Sequence, residues 1–199
     1  MIYPLSFPNI GVSSEKLQII LKQSGIPSPF TGHQQTVTNY AQWGVSWTWP
    51  VMRLGRAETA QGWLDSLQGQ LGSFLYQPRQ SVQSGLTGRT LAGNAYVYGN
   101  TVTVGGWSAG GVSTLRVGQY FQIGTQLLRI VSAPLNADAN GRCVIEFAPF
   151  LRSAFNAGTP VNFVNPKSLF RLASSETPAF TLTTNKTAEF PAIDAMEAL

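Results

Sequence analysis

The chain's apolar side chains recur mostly at every second position, and only one stretch carries the spacing of a helix. In Trp43-Gly44-Val45-Ser46-Trp47-Thr48-Trp49 the large residues alternate with small or polar ones. That period places Trp43, Val45, Trp47 and Trp49 on one face of a strand and Gly44, Ser46 and Thr48 on the other. Pro50 ends it. The helical stretch lies just beyond, where Ala60, Trp63, Leu64, Leu67 and Leu71 recur at three and four residues and so share one side of a helix. Glu58, Gln61, Asp65, Gln68 and Gln70 fill the opposite side. The spacing predicts a helix over about 56–71, stopped by Gly72, followed by a strand at Phe74-Leu75-Tyr76. Gly62 and Gly69 weaken such a helix by about 1 kcal/mol each relative to Ala, so packing has to hold it. The tryptophan face is the nearest apolar surface. The nine residues Trp43, Val45, Trp47, Trp49, Ala60, Trp63, Leu64, Leu67 and Leu71 are therefore the expected core of a first domain. An exposed tryptophan row that binds sugar or bases is the alternative.

Before this core, Met1 to Ile10 reads as an edge strand or a docking arm. Glu15–Gln23 alternates Leu17, Ile19 and Leu21 with Lys16, Gln18 and Lys22, as a half-buried strand would, although Ile20 breaks the alternation and a short helix is the alternative. Ser24 to Pro29 has the composition of a turn. After Pro78 the texture becomes polar and rich in Gly, Ser and Thr over Arg79–Asn94, which marks a linker. Short strands with hairpin punctuation follow. Ala95–Tyr98 and Thr101–Val104 flank Gly99-Asn100, and Tyr120–Ile123 and Gln126–Val131 flank Gly124-Thr125. Further strands are expected at Arg142–Ala148 and Val161–Val164. This pattern predicts a small OB-like or galectin-like barrel or sandwich over 84–165. The tail, with Ser168–Leu172, Ala179–Thr184 and Thr187–Ile193, is too short to fold alone and is expected to rejoin the first domain. The fold class is thus mainly β. A discontinuous domain of residues 1–83 and 166–199 contains the helix and carries the barrel as an insertion.

Composition supports strands and turns: the 199 residues hold 20 Gly and 12 Pro, and 11% are charged. The formal net charge of +4 comes from scattered residues with no basic run. Cys143 is the only cysteine, which leaves no intrachain disulfide and no cysteine-rich metal site. With no leader-like start and no apolar run of membrane-spanning length, a soluble protein of a reducing cytosol is expected. Catalytic chemistry is hard to assemble. His33 is the only histidine, in a polar stretch that reads as surface. The nine acids form no close pair, and no phosphate-binding glycine motif is present. Cys143 sits in an apolar strand as an inert thiol. No enzymatic activity, metal or cofactor is expected.

Several phrases resemble one family. Ser28-Pro29-Phe30-Thr31-Gly32 and Gln35-Thr36-Val37 ahead of a tryptophan strand, the helix-to-strand run Trp63–Tyr76, and Leu115–Gly124 are similar to distal tail proteins of long-tailed bacteriophages. So are Asp138–Gly141, Phe147–Arg152, Gly158–Val161 and Leu169–Leu172. The resemblance spans most of the chain from residue 28 onward. It implies a ring-forming β domain with an inserted OB-like or galectin-like domain, assembled in the host bacterial cytoplasm and located in the virion tail. It further implies a homo-oligomeric ring, a hexamer, between the tail tube protein and the tail-tip hub protein, around a channel that passes DNA without sequence-specific binding. It implies no membrane insertion and brings no catalytic residues. Another minor tail-tip protein is the alternative within this class. Outside it stand a nucleic-acid-binding OB module, motivated by Tyr96, Tyr98, Trp107, Tyr120, Phe121 and five arginines across 89–152, and a carbohydrate-binding domain with Trp107 as its platform. Trp107, Tyr96 and Tyr98 are the candidate contacts to a ligand or partner.

Overall fold

The computed structural model describes residues 2–28, 30–79 and 85–198. The protein is mainly β, with fifteen strands and one helix among these residues. In chain order the strands are β1 (Leu5–Ser6), β2 (Ser14–Pro27), β3 (Gln34–Thr48), β4 (Met52–Arg53), β5 (Phe74–Tyr76), β6 (Arg89–Leu91), β7 (Thr101–Gly105) and β8 (Tyr120–Ile123). There follow β9 (Gln126–Ser132), β10 (Arg142–Ala148), β11 (Pro160–Asn162), β12 (Ser168–Leu172), β13 (Thr181–Leu182), β14 (Thr187–Glu189) and β15 (Ile193–Glu197). The helix α1 spans Leu54–Ser66. The chain divides into two compact units, residues 1–74 with 170–199, and residues 75–169. The sequence had placed these crossings at 83/84 and 165/166, and the first of those positions lies outside the described residues.

The first unit is built on a six-stranded sheet in the order β1-β5-β12-β15-β3-β2, with a small sheet β13-β14-β4 beside it. Trp43, Val45, Trp47 and Trp49 are all buried, because alternation along β3 turns them to the covered side of the sheet. The tryptophan row is core and not an open platform. An aromatic cluster forms there: Trp47 meets Trp49 at 6.2 Å and Phe74 at 5.9 Å between ring centroids. Trp49 meets Phe190 edge-on at 4.9 Å. Phe7 stands 5.5 Å from both Trp47 and Trp63. Each such pair contributes about 0.5–1.5 kcal/mol beyond the area it buries. The N-terminal segment thus supplies the expected edge strand and, with Phe7, one ring of the aromatic cluster.

Ala60, Leu64 and Leu67 are fully buried, and Trp63 is half-buried. Trp63 packs edge-on against Phe74 at 5.3 Å, and its indole N–H donates to the Ser6 carbonyl at 2.9 Å. Leu71 corrects the expectation, being 69% exposed. The helix ends at Ser66, five residues short of the expected stop, because Gln68 and Gly69 both turn left-handed, with φ of 52° and 65°. The Gly72 N–H then closes on the Leu67 carbonyl at 2.8 Å. Gly69 has a second reason to be glycine, since a Cβ there would lie 2.5 Å from the Ser175 carbonyl oxygen. Past that turn the helical spacing no longer governs direction, so Leu71 leaves the apolar face.

The second unit is a closed barrel in the order β10-β7-β6-β11-β8-β9, all pairs antiparallel. It has six strands, one more than an OB barrel, and it is not a pair of stacked galectin-like sheets. Its interior is filled by residues such as Leu91, Val104, Phe121, Ile123, Leu128, Ile145 and Phe163. The β8–β9 hairpin turns where the sequence places it, with Ile123 opposite Gln126 and Gly124 at φ 57°. The other expected hairpin does not form. Ala95 makes only an isolated bridge to Phe155, residues 96–100 are loop, and β7 pairs instead with β6 and β10. The expected linker Arg79–Asn94 conceals β6, a polar three-residue strand without alternation to reveal it.

Candidate functional site

Among the described residues, exposed aromatic rings mark two surfaces, Phe30 and Tyr40 on one and Tyr96 and Tyr98 on the other. The first is the outer part of the β2–β3 hairpin. The two strands pair from Ser14 opposite Thr48 to Pro27 opposite Gln34, with an irregularity at Lys22/Gln23. The other neighbour of β3, strand β15, reaches only Gly44 to Trp47. Beyond that ladder the hairpin runs on as a two-stranded ribbon, from Lys22 and Tyr40 out to its turn. The composition of Ser24 to Pro29 predicts a turn there, but β2 continues as far as Pro27, and contacts between Ser28 and His33 close the hairpin, with Pro29 outside the described residues. The Ser28 N–H donates to the His33 carbonyl at 2.8 Å, and the Gly32 N–H donates to the Ser28 carbonyl at 3.0 Å. Phe30, on that turn, is 96% exposed, and His33 beside it is exposed too. No acidic or basic side chain other than His33 occurs between Lys22 and Arg53. Charges on an edge are one of the devices that keep strands from pairing with other chains, and this ribbon lacks them.

The second surface is a rim of the barrel formed by the loop from β6 to β7 and the loop from β10 to β11. Their backbones are laced together. Ala95 and Phe155 exchange both N–H···O bonds at 2.8 and 2.9 Å, the Tyr98 N–H donates to the Leu151 carbonyl at 2.8 Å, and the Leu151 N–H donates to the Gly99 carbonyl at 2.9 Å. This lacing holds Tyr96 and Tyr98 on the outside, 71% and 72% exposed. Tyr98 rests on Phe150, ring centroids 5.5 Å apart.

Trp107 is not gathered with them. It is partly buried against the barrel interior, its indole N–H donates to the Ser113 carbonyl at 3.1 Å, and the Arg89 guanidinium lies 4.6 Å above its ring. Arg89 also donates to the Gly106 carbonyl, which fixes it over the indole. Gly141, distant in sequence, lets the chain pack closely there, since any Cβ at that position would run into the Trp107 carbonyl oxygen. Tyr120 and Phe121, candidates for base stacking, are buried, and Phe121 stacks on Phe163 at 5.5 Å. The pattern of β8 carried that signal only for Phe121, which shares its side with Ile123, whereas Tyr120 shares its side with the polar Gln122.

The remaining chemistry is sparse. Cys143 is buried in β10, and its thiol pKa is raised by burial first and by the Asp138 charge second, with Arg89 opposing. Among the described residues no group of three or more His, Cys, Asp or Glu could hold a metal. A shallow groove of about 320 Å³ on the outer face of the first unit's sheet is lined by Lys16, Gln18, Ile20, Ser46, Asp194 and Met196, with Gly44 at its floor. Lys16, Ser46 and Asp194 lie in one row across β2, β3 and β15. No described helix is long and apolar enough to cross a membrane. The class that fold and surfaces define is a mainly β protein whose sheet unit is interrupted in sequence by a closed antiparallel barrel. Compared with known proteins, the sequence matches no family model and no curated protein.

Proposed function

We propose that this chain is a structural subunit of a bacteriophage tail tip, the distal tail ring that joins the end of the tail tube to the tip hub around the DNA channel. The observation that carries the reading is the uncharged β2–β3 ribbon, which extends past the sheet with β2 as an edge strand. β2 is an edge strand of 14 residues, and its part beyond Lys22 exposes a row of backbone N–H and C=O groups with no acidic or basic side chain beside them. A second copy of the chain satisfies them by strand addition, and repetition of that contact around an axis closes a ring. The phrase-by-phrase resemblance to distal tail proteins supplies the hexamer, the tube and hub as partners, and the passing DNA. No catalytic step belongs to this role.

Replacing residues 24–37 by a two-residue Asn-Gly turn tests the reading. The shortened chain is expected to keep the native tryptophan emission of its core and to lose self-assembly, read by electron microscopy as the disappearance of rings that the full chain forms. Rings that persist without the ribbon would contradict this use of the hairpin.

A further inference from the structure

Internal packing does not account for the aromatic rim of the barrel. Tyr98 stands at φ 65°, a left-handed conformation that costs a bulky side chain about 1–2 kcal/mol. Its ring gains one tilted contact with Phe150 and remains 72% exposed. Tyr96 is equally open, and among the described residues neither phenol hydroxyl has a hydrogen-bond partner. A strained backbone that holds an exposed ring points to a ligand for that ring. The laced loops also present both rings already ordered, so a ligand meets no cost of arranging them.

Charge selects the class of ligand. Between Arg89 and Arg116 the chain has no acidic or basic side chain, and the facing loop from β10 to β11 adds one half-buried cation, Arg152, so a phosphate backbone does not find the run of cations it needs at this rim. The apolar part is short, only Tyr96-Val97-Tyr98, whereas a stable protein interface needs about 800 Å² on each side. Exposed carboxamides flank the rings. Asn94 Oδ1 accepts from the Ala157 N–H at 3.0 Å and Asn100 Oδ1 accepts from the Thr101 hydroxyl at 3.3 Å. Their amide N–H groups remain free to donate. Aromatic faces for C–H surfaces, with uncharged donors for hydroxyls, complement a neutral sugar chain. We infer that the rim formed by Tyr96, Tyr98, Asn94 and Asn100 binds neutral polysaccharide. This role is independent of the ring-forming one.

Isothermal titration calorimetry of the full chain with maltopentaose, cellopentaose, chitopentaose and mannopentaose tests it. The expected result is saturable binding to at least one of them at millimolar concentration, weakened about threefold to tenfold by Tyr96→Ala and likewise by Tyr98→Gly. Tyr98→Gly removes the ring while relieving the backbone, so its unfolding temperature is expected at or above that of the parent and loss of binding cannot be loss of fold. The inference is overturned if none of the four sugars binds, or if the double variant binds as the parent does. It is equally overturned if the double variant changes the oligomeric mass of the protein, which would make the rim a contact between copies.

Discussion

Leu67 lies one residue past the helix and is nevertheless fully buried, its N–H closing on the Leu64 carbonyl at 3.0 Å before the left-handed turn begins. Leu67→Ala removes buried methyl groups beside the aromatic cluster and is expected to destabilise the protein by about 2–5 kcal/mol through lost transfer energy and a residual cavity. Denaturant unfolding measures it, and a change below about 0.5 kcal/mol, the size typical of surface substitutions, would show that the site is not core. Cys143 gives a second residue-scale prediction. Burial and Asp138 hold its thiol pKa above the ordinary value. The native state therefore keeps its proton at pH values where the unfolded state has lost it. With fewer protons bound by the unfolded state, stability falls as pH rises past the ordinary thiol value, and the fall continues until the raised native value is passed. Cys143→Ala is expected to flatten that alkaline slope in unfolding measurements at pH 8 to 10, and an unchanged slope would contradict the assignment. The thiol is also expected to react with thiol reagents only as fast as the barrel opens.

Among the elements, β15 has the most to hold. It lies between β12 and β3 in the middle of the sheet, pairs with both, and buries Ile193 and Ala195. A chain ending at residue 178 lacks β13, β14 and β15, leaving two interior edges unpaired and the Trp49–Phe190 contact unmade. Expression of residues 1–178 is expected to give insoluble protein, and a soluble product with native tryptophan emission would contradict the interior position of β15. The tail's alternation was legible as strand in the sequence, but its split into β13, β14 and β15 was not, because strands of two or three residues are too short to show a period. Full alternation made β10 readable to the residue and β3 readable over its tryptophan half, while the polar first half of β3, from Gln34, carries no such alternation. β6 escaped because its partners, not its own side chains, make it a strand, whereas the N-terminal edge strand β1 was expected from its short, Pro-broken segment. Of the candidate contacts, the exposure of Tyr96 and Tyr98 depends on loop-to-loop hydrogen bonds distant in sequence. The occupied state of Trp107 depends on Arg89, eighteen residues away. Neither leaves a mark in local composition. Leu71 was misplaced for a related reason: helical spacing continues through Gln68-Gly69 in the sequence, while the Ser175 carbonyl that demands a glycine at that turn comes a hundred residues later.

At the scale of the molecule, the sheet unit is completed only after the barrel has been made, since β12 and β15 follow it in the chain. This order makes the sheet depend on long-range pairing, with β15 meeting β3 across about 150 residues, and such contacts slow folding because loop closure precedes their reward. It also leaves the β2 edge and the ribbon free after both cores are closed, and self-association through that edge is the central claim. The direct measurement is the mass of the full chain in solution, by light scattering or native mass spectrometry across a concentration series. The account predicts one discrete species near six times the 21.5 kDa chain, stable on dilution. A chain that stays monomeric at every concentration, or grows without a closed size, would contradict it.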